Sequence, residues 1–187
     1  MNIEFDNIKT ASAIPGAAAM IETFRAIGYS LETAVADIVD NSISASAKNV
    51  WINRIWKGGD SIITIRDDGH GMSGDEIIQA MRPGAQNPLI ERSATDLGRF
   101  GLGLKTASFS QCRTLTVMSK IQGQSPEFWT WSLDHVAQCD RWELLHWLPE
   151  GFEHELDDLA SGTIVIWTNP DRIIPATTKA ENDNAKR

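Results

Sequence analysis

The chain has 187 residues, of which 42% are hydrophobic and 22% are charged, and its formal net charge is −8. This composition is typical of one ordinary globular domain, and the acidic balance disfavours nucleic acid or an anionic membrane as a partner of the whole domain. No apolar run has the length of a membrane span, and the first residues lack the pattern of a signal peptide. We therefore expect a cytoplasmic protein.

The two cysteines, Cys112 and Cys139, do not predict a disulfide framework. Neither has a partner at the spacing of a metal-binding motif, so we expect two reduced thiols. Stability must then come from a core, which a chain of this length can bury.

The first third of the chain predicts an arm or edge strand, two helices and a hairpin. These elements lie at residues 1–12, 16–27, 30–46, 49–57 and 61–66. Gly28 is placed to end the first helix, and Ser30 is the expected N-cap of the second. A Gly-Gly-Asp turn at residues 58–60 joins the two strands of the hairpin.

The rest of the chain predicts short helices and strands without regular alternation. Ser73 and Glu76 form a capping-box pattern for a helix that runs through Met81. Further helices are expected at residues 104–110, 134–139 and 153–160, and strands at 113–120, 127–133, 141–148 and 163–168. This order favours an α+β two-layer sandwich over a doubly wound sheet.

Two segments are interpreted as connections. Residues 83–97 are polar, are broken by prolines and are long for a simple loop, so they are either a mobile lid or a passive surface loop. Residues 171–187 are polar and charged, and we expect a tail or the start of a linker. The domain would then occupy residues 1–170.

A first group of candidate site residues lies on the second predicted helix. Asp37 and Asn41 are four residues apart and share a helical face. A carboxamide oxygen is a suitable ligand for Mg²⁺, and a carboxylate one turn away could orient or deprotonate a water molecule. Acidic and amide residues also commonly form a solvated face, so this pair alone is a weak signal.

A second group follows the strand at residues 61–66. Asp67 at the strand end could accept a hydrogen bond from an exocyclic amine such as that of adenine. Gly69 and Gly71 would let the backbone approach a flat ring, against which Met72 could pack. The alternative is a tight Asp-Gly turn with no ligand.

A third group is a glycine-rich loop that leads into a helix. It comprises Gly98, Arg99, Phe100, Gly101, Leu102, Gly103, Leu104 and Lys105. Such loops wrap phosphate at a helix N-terminus, and Lys105 could hold a phosphate oxygen or lie on the surface. Thr163, which follows Gly162, could bind near a base or simply belong to a sheet.

Together, these segments resemble the GHKL superfamily, which includes gyrase B, the ninety-kilodalton heat-shock chaperone, histidine kinases and MutL. Asp37 and Asn41 match its first motif, and Asp67-x-Gly69-x-Gly71 matches its second. The glycine loop matches its third motif, and Thr163 resembles its final threonine. In detail, the motifs are most similar to Morc-type and related bacterial ATPases.

The resemblance implies a Bergerat fold, with a mixed, mostly antiparallel sheet and helices on one face. ATP and Mg²⁺ would bind between the helices under the lid, with Asp67 on adenine, Asn41 on Mg²⁺ and the glycine loop with Lys105 on the phosphates. Asp37 would be the catalytic base. We also expect ATP-dependent dimerisation that drives a larger protein with a further C-terminal domain.

This chain departs from the superfamily pattern in ways that affect turnover. Hydrolysing members usually carry glutamate at the position of Asp37, and many carry aspartate at the position of Ser44. Clamp-type members also take a lysine from a following domain. The residues printed after Asn169 are too few to form one, so we expect this sequence to be an excised ATPase domain or a truncated relative. Slow hydrolysis is the expectation, and a nucleotide-sensing module without turnover is the alternative. A histidine-kinase catalytic domain is disfavoured because no phosphoacceptor helix pair precedes Ser30.

Overall fold

The fold is described from a computed structural model, over residues 9–84 and 103–173. Its helices are α1 (Ala17–Arg25), α2 (Leu31–Ser44), α3 (Gly74–Met81), α4 (Gly103–Phe109) and α5 (Leu133–Cys139). Its strands are β1 (Val50–Ile55), β2 (Ile62–Asp67), β3 (Thr114–Lys120), β4 (Glu127–Ser132) and β5 (Gly162–Thr168). In this part of the chain, no helix is long and apolar enough to cross a bilayer.

Local capping signals determine where α2 and α3 begin. The Ser30 hydroxyl accepts a hydrogen bond from the Thr33 backbone amide at 3.2 Å, which satisfies one of the free donors at the start of α2. Ser73 and Glu76 form the reciprocal capping box predicted for α3. Both helix starts are therefore confirmed.

The five strands form one sheet in the order β1-β2-β5-β3-β4. All four pairings between these strands are antiparallel, and β5, the last strand in the chain, occupies the centre. In this register, Thr163 lies opposite Asp67 on one side and opposite Ser119 on the other. Three distant parts of the sequence thus meet in one row across the sheet.

The helices pack on one face of the sheet, as predicted for an α+β two-layer sandwich. The core on this face includes side chains from all five helices and from the central strands: Ile21, Ile38, Ile77, Ala107, Val136, Ile65, Val117, Val165 and Trp167. Trp131 and Trp167 are the largest fully buried side chains of the described residues. Their burial stabilises the fold by packing within the sheet.

The opposite face of the sheet is covered by an irregular segment rather than by a helix. Residues 153–158 are turns, so the helix predicted at 153–160 is wrong. Phe152 and Leu156 have helical spacing, and both pack on this face in a second apolar cluster. The Lys120 ammonium donates to the carbonyl oxygens of Leu156 and Leu159, at 3.0 and 2.8 Å, which satisfies backbone groups without a helix.

The strand predicted at residues 141–148 is also wrong. Only Leu145 pairs with the sheet, in an isolated bridge to Thr130 with hydrogen bonds of 2.9 and 2.8 Å. Trp142 instead packs edge-on against Trp131, with the ring centroids 6.2 Å apart. The Trp142 side chain thus serves this local packing rather than a strand.

Strand β1 forms one edge of the sheet and is largely uncovered. Its exposed apolar side chains, with those of the residue that follows it, are Trp51, Ile52, Ile55 and Trp56. The Arg66 guanidinium lies over the Trp51 ring at 5.1 Å from the centroid, which partly shields that ring. An apolar edge of this kind is prone to pairing with other chains.

Candidate functional site

Asp67 lies at the C-terminal end of β2, and its carboxylate is anchored on both oxygens. The side chain is only 6% exposed. Ser42 Oγ donates to Oδ2 at 2.8 Å, and the Gly69 backbone amide donates to Oδ1 at 2.8 Å. Because each carboxylate oxygen can accept more than one hydrogen bond, the fixed carboxylate can still accept from a ligand.

Ser42 is a site residue that the sequence analysis missed. It lies in the last turns of α2, on the buried stripe that also contains Ala34 and Ile38. A hydroxyl at a core position of an otherwise apolar stripe is the signal that could have identified it, because buried polar groups need partners. Through Ser42, the helix that carries Asp37 is tied directly to Asp67.

A second missed residue, Ser119, links the end of β3 to the start of β5. Its hydroxyl lies 2.8 Å from Thr163 Oγ1 and donates to the Gly162 carbonyl at 3.0 Å, while it accepts from the Met72 backbone amide at 2.8 Å. Asp67, Thr163 and Met72 are therefore held around one end of the sheet. No local pattern marks Ser119, since only the strand register reveals its position.

The two glycines after β2 are required by close packing within the protein. A Cβ on Gly69 would lie 2.9 Å from the Ala45 carbonyl oxygen. Gly71 has φ of +75°, and a Cβ there would lie 2.0 Å from the Lys120 carbonyl oxygen. The turn thus passes between α2 and the end of β3, where a side chain would collide.

Asp68 has a different role from its neighbour Asp67. It accepts hydrogen bonds from the backbone amides of Lys48 and Asn49 at 2.7 and 2.9 Å. Hydrogen bonds from the backbone and then the side chain of Asn49 hold the pKa of the Asp68 carboxyl below its usual value. Asp68 therefore fixes the connection between α2 and β1 rather than facing the site.

Asp37 is half-buried on α2 and lies beside the start of α4. A Cβ placed on Gly103 would be 3.3 Å from Asp37 Oδ2, which places the first and third motifs in contact. Tyr29 is a second neighbour of Asp37. Burial is the main cause of the raised pKa of the Tyr29 hydroxyl, while a hydrogen bond with Thr106 lowers this pKa. The charge of Asp37 and its hydrogen bond with Tyr29 raise the pKa further.

Asn41 is exposed on α2, one turn after Asp37. Its carboxamide oxygen is the type of hard ligand that Mg²⁺ accepts together with waters and phosphate oxygens. Asn41 therefore fits the Mg²⁺ ion that is expected from the sequence. The Ser44 hydroxyl, by contrast, donates to the Asp40 carbonyl at 2.9 Å, a bond within the helix.

Lys105 is buried in α4 and is not a surface lysine. Its side chain is only 2% exposed, and its ammonium donates to the Ala80 carbonyl near the end of α3 at 2.8 Å. Burial lowers the pKa of Lys105 to about 8. The charged form is thus disfavoured inside the fold, and a phosphate group nearby would favour it.

We expect this burial to make stability depend on pH. Because the folded pKa of Lys105 is about 8 and the unfolded value is 10.5, the unfolded chain binds more protons between these two pH values. Lys105 should therefore cost stability below pH 8, and this cost should fall as the pH rises toward 10.5. Relative to Lys105→Met, the free energy of unfolding of the wild type should increase by up to roughly 3 kcal/mol across this window.

Urea unfolding of both proteins at several pH values would measure this difference. A constant difference between wild type and Lys105→Met from pH 7 to 10.5 would mean that Lys105 remains charged in the fold.

Part of the predicted site lies outside the described residues. This applies to Gly98, Arg99, Phe100, Gly101 and Leu102 of the glycine loop, and to residues 85–97 of the predicted lid. The described end of the loop, Gly103 to Lys105, starts α4 and packs against α2 and α3. The structure thus brings together the described residues of all three motifs, with Thr163.

The assembled groups suit a ligand with a polar flat end and an anionic end. At one end, Asp67 offers a fixed acceptor beside Met72 and Thr163. At the other, Asp37 and Asn41 lie along α2, next to the N-terminus of α4 at Gly103. A nucleoside phosphate with a divalent cation has this combination of chemical groups.

Comparison with protein families gives one match over most of the chain. The profile of the family described as histidine kinase-, DNA gyrase B-, and HSP90-like ATPase matches residues 29–163. This range contains every motif described above, from Tyr29 to Thr163.

Individual relatives are similar over shorter ranges. The ATPase morc-1 of Caenorhabditis elegans is 31% identical over 49% of this chain, and DNA mismatch repair protein MutL of Thermus aquaticus is 35% identical over 51%. MutL of Paramagnetospirillum magneticum is 30% identical over 70% of this chain. The aligned regions span only 10%, 17% and 21% of these three relatives.

Proposed function

The chain belongs to the histidine kinase-, DNA gyrase B-, and HSP90-like ATPase family, and we propose that its site binds ATP with Mg²⁺ and hydrolyses it slowly. The observation that carries the proposal is the Asp67 carboxylate, fixed by Ser42 and Gly69 in the same site as the helix that bears Asp37 and Asn41. The fixed carboxylate of Asp67 would recognise the base, and helix α2, with Asp37 and Asn41, would face the phosphates and the metal ion.

In the proposed binding mode, Asp67 accepts a hydrogen bond from the exocyclic amine of adenine. A carboxylate already held by two donors does not need to reorganise when the base arrives, which favours tight binding. Met72 and Thr163 border the same place and can contact the ring edge and face. A guanine would present a carbonyl where this carboxylate requires a donor, so the site favours adenine.

At the phosphate end, one side chain of α2 would bind the metal ion and another would position the attacking water. Asn41 would hold a Mg²⁺ ion, which supplies charge stabilisation for the phosphate oxygens. Asp37 would orient the attacking water and accept its proton. Lys105 and the loop that starts at Gly98 would bind the phosphates, and the Lys105 ammonium would exchange its contact with Ala80 for one with phosphate.

We further propose that nucleotide closes a lid at residues 83–97 and promotes dimerisation in a larger protein. The contact of Lys105 supports lid closure, because this residue of α4 donates to the Ala80 carbonyl, which lies a few residues before the proposed lid. The relatives support a larger protein, since each is several times longer than the region that aligns. A cytoplasmic location and a further C-terminal domain belong to the same proposal.

Calorimetric titration with a non-hydrolysable ATP analogue, with and without Mg²⁺, tests the central claim. We expect one binding site per chain and tighter binding when Mg²⁺ is present, because Asn41 would hold the ion and the ion would supply positive charge for the phosphates. Folded protein that binds neither the analogue nor its Mg²⁺ complex would overturn the assignment.

The second candidate function is nucleotide sensing without useful turnover. It is favoured by the short side chain of Asp37 and by the Tyr29 hydroxyl beside it, which competes with water for the carboxylate. Release of phosphate from ATP under saturating nucleotide separates the two functions. Analogue binding with no turnover above the buffer rate would select the sensing module.

A further inference from the structure

A cluster of potential metal ligands lies outside the proposed nucleotide site. The donor atoms of His135, Cys139 and Glu143 all lie within 4.8 Å of one another, and all three residues are half-buried. His135 Nε2 lies 3.1 Å from Glu143 Oε2. The chain contains four histidines and two cysteines, and this cluster joins one of each with a carboxylate.

The local fold accounts for this arrangement. His135 and Cys139 are four residues apart on α5, so they share one face of the helix. Asp140, with φ of +48° in the left-handed region, ends α5 and turns the chain back. The next residues thereby return Glu143 to the same face. Asp140 also accepts from the Ala18 backbone amide at 2.9 Å, which fixes the turn on α1.

The donor set and its spacing suit a transition metal better than Mg²⁺. A thiolate, an imidazole and a carboxylate are all zinc ligands, whereas Mg²⁺ prefers oxygen alone. In a tetrahedral zinc site, neighbouring donor atoms lie about 3.3–3.6 Å apart. The separation of 3.1 Å between His135 Nε2 and Glu143 Oε2 is close to this value, and the other donor atoms, which lie within 4.8 Å of one another, would have to draw closer.

The charges also allow a divalent ion. A thiolate and a carboxylate would neutralise Zn²⁺, while His135 binds as the neutral imidazole. Arg141 Nη1 lies 3.0 Å from Glu143 Oε1, the oxygen that does not face His135. Arg141 therefore orients the carboxylate and leaves Oε2 directed toward the cluster.

We propose that His135, Cys139 and Glu143 form a zinc site that fastens the end of α5 to the segment after it. A water molecule would be the fourth ligand. The site lies at the opposite end of the sheet from Asp67, because α5 follows β4 at Ser132, which pairs with Thr114 at the start of β3. Zinc would stabilise the fold, including the packing of Trp142, without taking part in nucleotide chemistry.

Zinc titration of the reduced full chain tests this proposal, with a chromophoric chelator as competitor. We expect one equivalent of Zn²⁺ to bind, protons to be released and the melting temperature to rise. Substitution with Co²⁺ should give the thiolate-to-cobalt absorption band, which requires a cysteine ligand. Cys139→Ser should remove that band and weaken zinc binding by more than the roughly 10–100-fold that loss of a supporting residue costs.

The chain offers a matched control at His154, an exposed histidine whose Nδ1 lies 2.8 Å from the Asp157 carboxylate. His154→Gln should leave zinc binding unchanged, whereas His135→Gln and Glu143→Gln should each weaken it. Circular dichroism of every variant without zinc would show that each one folds. Failure of the folded wild type to bind zinc, or equal binding by folded Cys139→Ser, would overturn the proposal.

Discussion

Replacing Asp67 with asparagine is expected to weaken ATP binding by about 10- to 150-fold, which corresponds to the roughly 1.5–3 kcal/mol of a hydrogen bond to a charged group. The shape of the side chain is kept, but one carboxylate oxygen becomes an amide that donates and cannot accept. Ser42 and Gly69 already donate to the two oxygens of Asp67, so the new amide also faces a donor. Calorimetric titration with the non-hydrolysable ATP analogue measures the loss.

The adjacent residue supplies the control for this experiment. Asp68→Asn changes a carboxylate to the same amide, but Asp68 bonds to Lys48 and Asn49 in the connection before β1. We expect this variant to bind ATP as the wild type does and to be somewhat less stable. Normal binding by folded Asp67→Asn would refute the role of Asp67 in base recognition.

Replacing Asp37 with alanine is expected to reduce the rate of ATP hydrolysis by roughly 10²- to 10⁴-fold, the usual contribution of a general base. Affinity for the ATP analogue should stay within a few-fold of wild type, because Asn41 and Asp67 remain in place. The pair of measurements, turnover and titration on the same protein, separates loss of chemistry from loss of binding.

Three other variants distinguish a base from a merely nearby charge. Asp40→Ala removes a carboxylate three residues further along α2 and should leave the turnover rate unchanged. Asp37→Glu should retain turnover, since it restores the side chain usual in hydrolysing members of the superfamily. Tyr29→Phe removes the hydroxyl beside Asp37 and should change the pH dependence of turnover. Unchanged turnover in Asp37→Ala would exclude Asp37 as the base.

Signals that act over a few residues were the ones that predicted the fold well. Ser30, with its hydroxyl on Thr33, and the Ser73–Glu76 box each form bonds within one helical turn. The Gly58–Asp60 turn between β1 and β2 is equally local. Such hydrogen bonds depend on residues a few positions apart, so the local sequence pattern is sufficient to predict them.

The two wrong predictions concern segments whose secondary structure depends on contacts with distant parts of the chain. Residues 153–160 have helical spacing, but the apolar cluster on the sheet and the Lys120 ammonium favour turns instead. Leu145 makes only one bridge to the sheet because the chain around it packs aromatic side chains. Tertiary contacts override weak local preferences in both segments.

For the site, the motifs identified residue types but not their connections. The sequence placed Asp37, Asn41 and Asp67 in separate motifs and gave no reason for Ser42 to join them. Ser119 became visible only through the register of β3 and β5. The sequence allows Lys105 to be a surface lysine or a phosphate-binding lysine, and its burial against Ala80 depends on how α3 and α4 pack.

Helix α2 links base recognition to metal and phosphate binding in the proposed site. It carries Asp37 and Asn41 toward the phosphate end, and Ser42 ties the same helix to the carboxylate at the base end. Because a helix moves nearly as a rigid rod, a shift of α2 that moves Asp37 and Asn41 also moves Ser42, and with it the Asp67 carboxylate. In the proposed binding mode, the base and the metal are therefore linked ligands, each altering the affinity of the other by the same factor. Inorganic triphosphate, which lacks the base, would reach the metal end without this assistance.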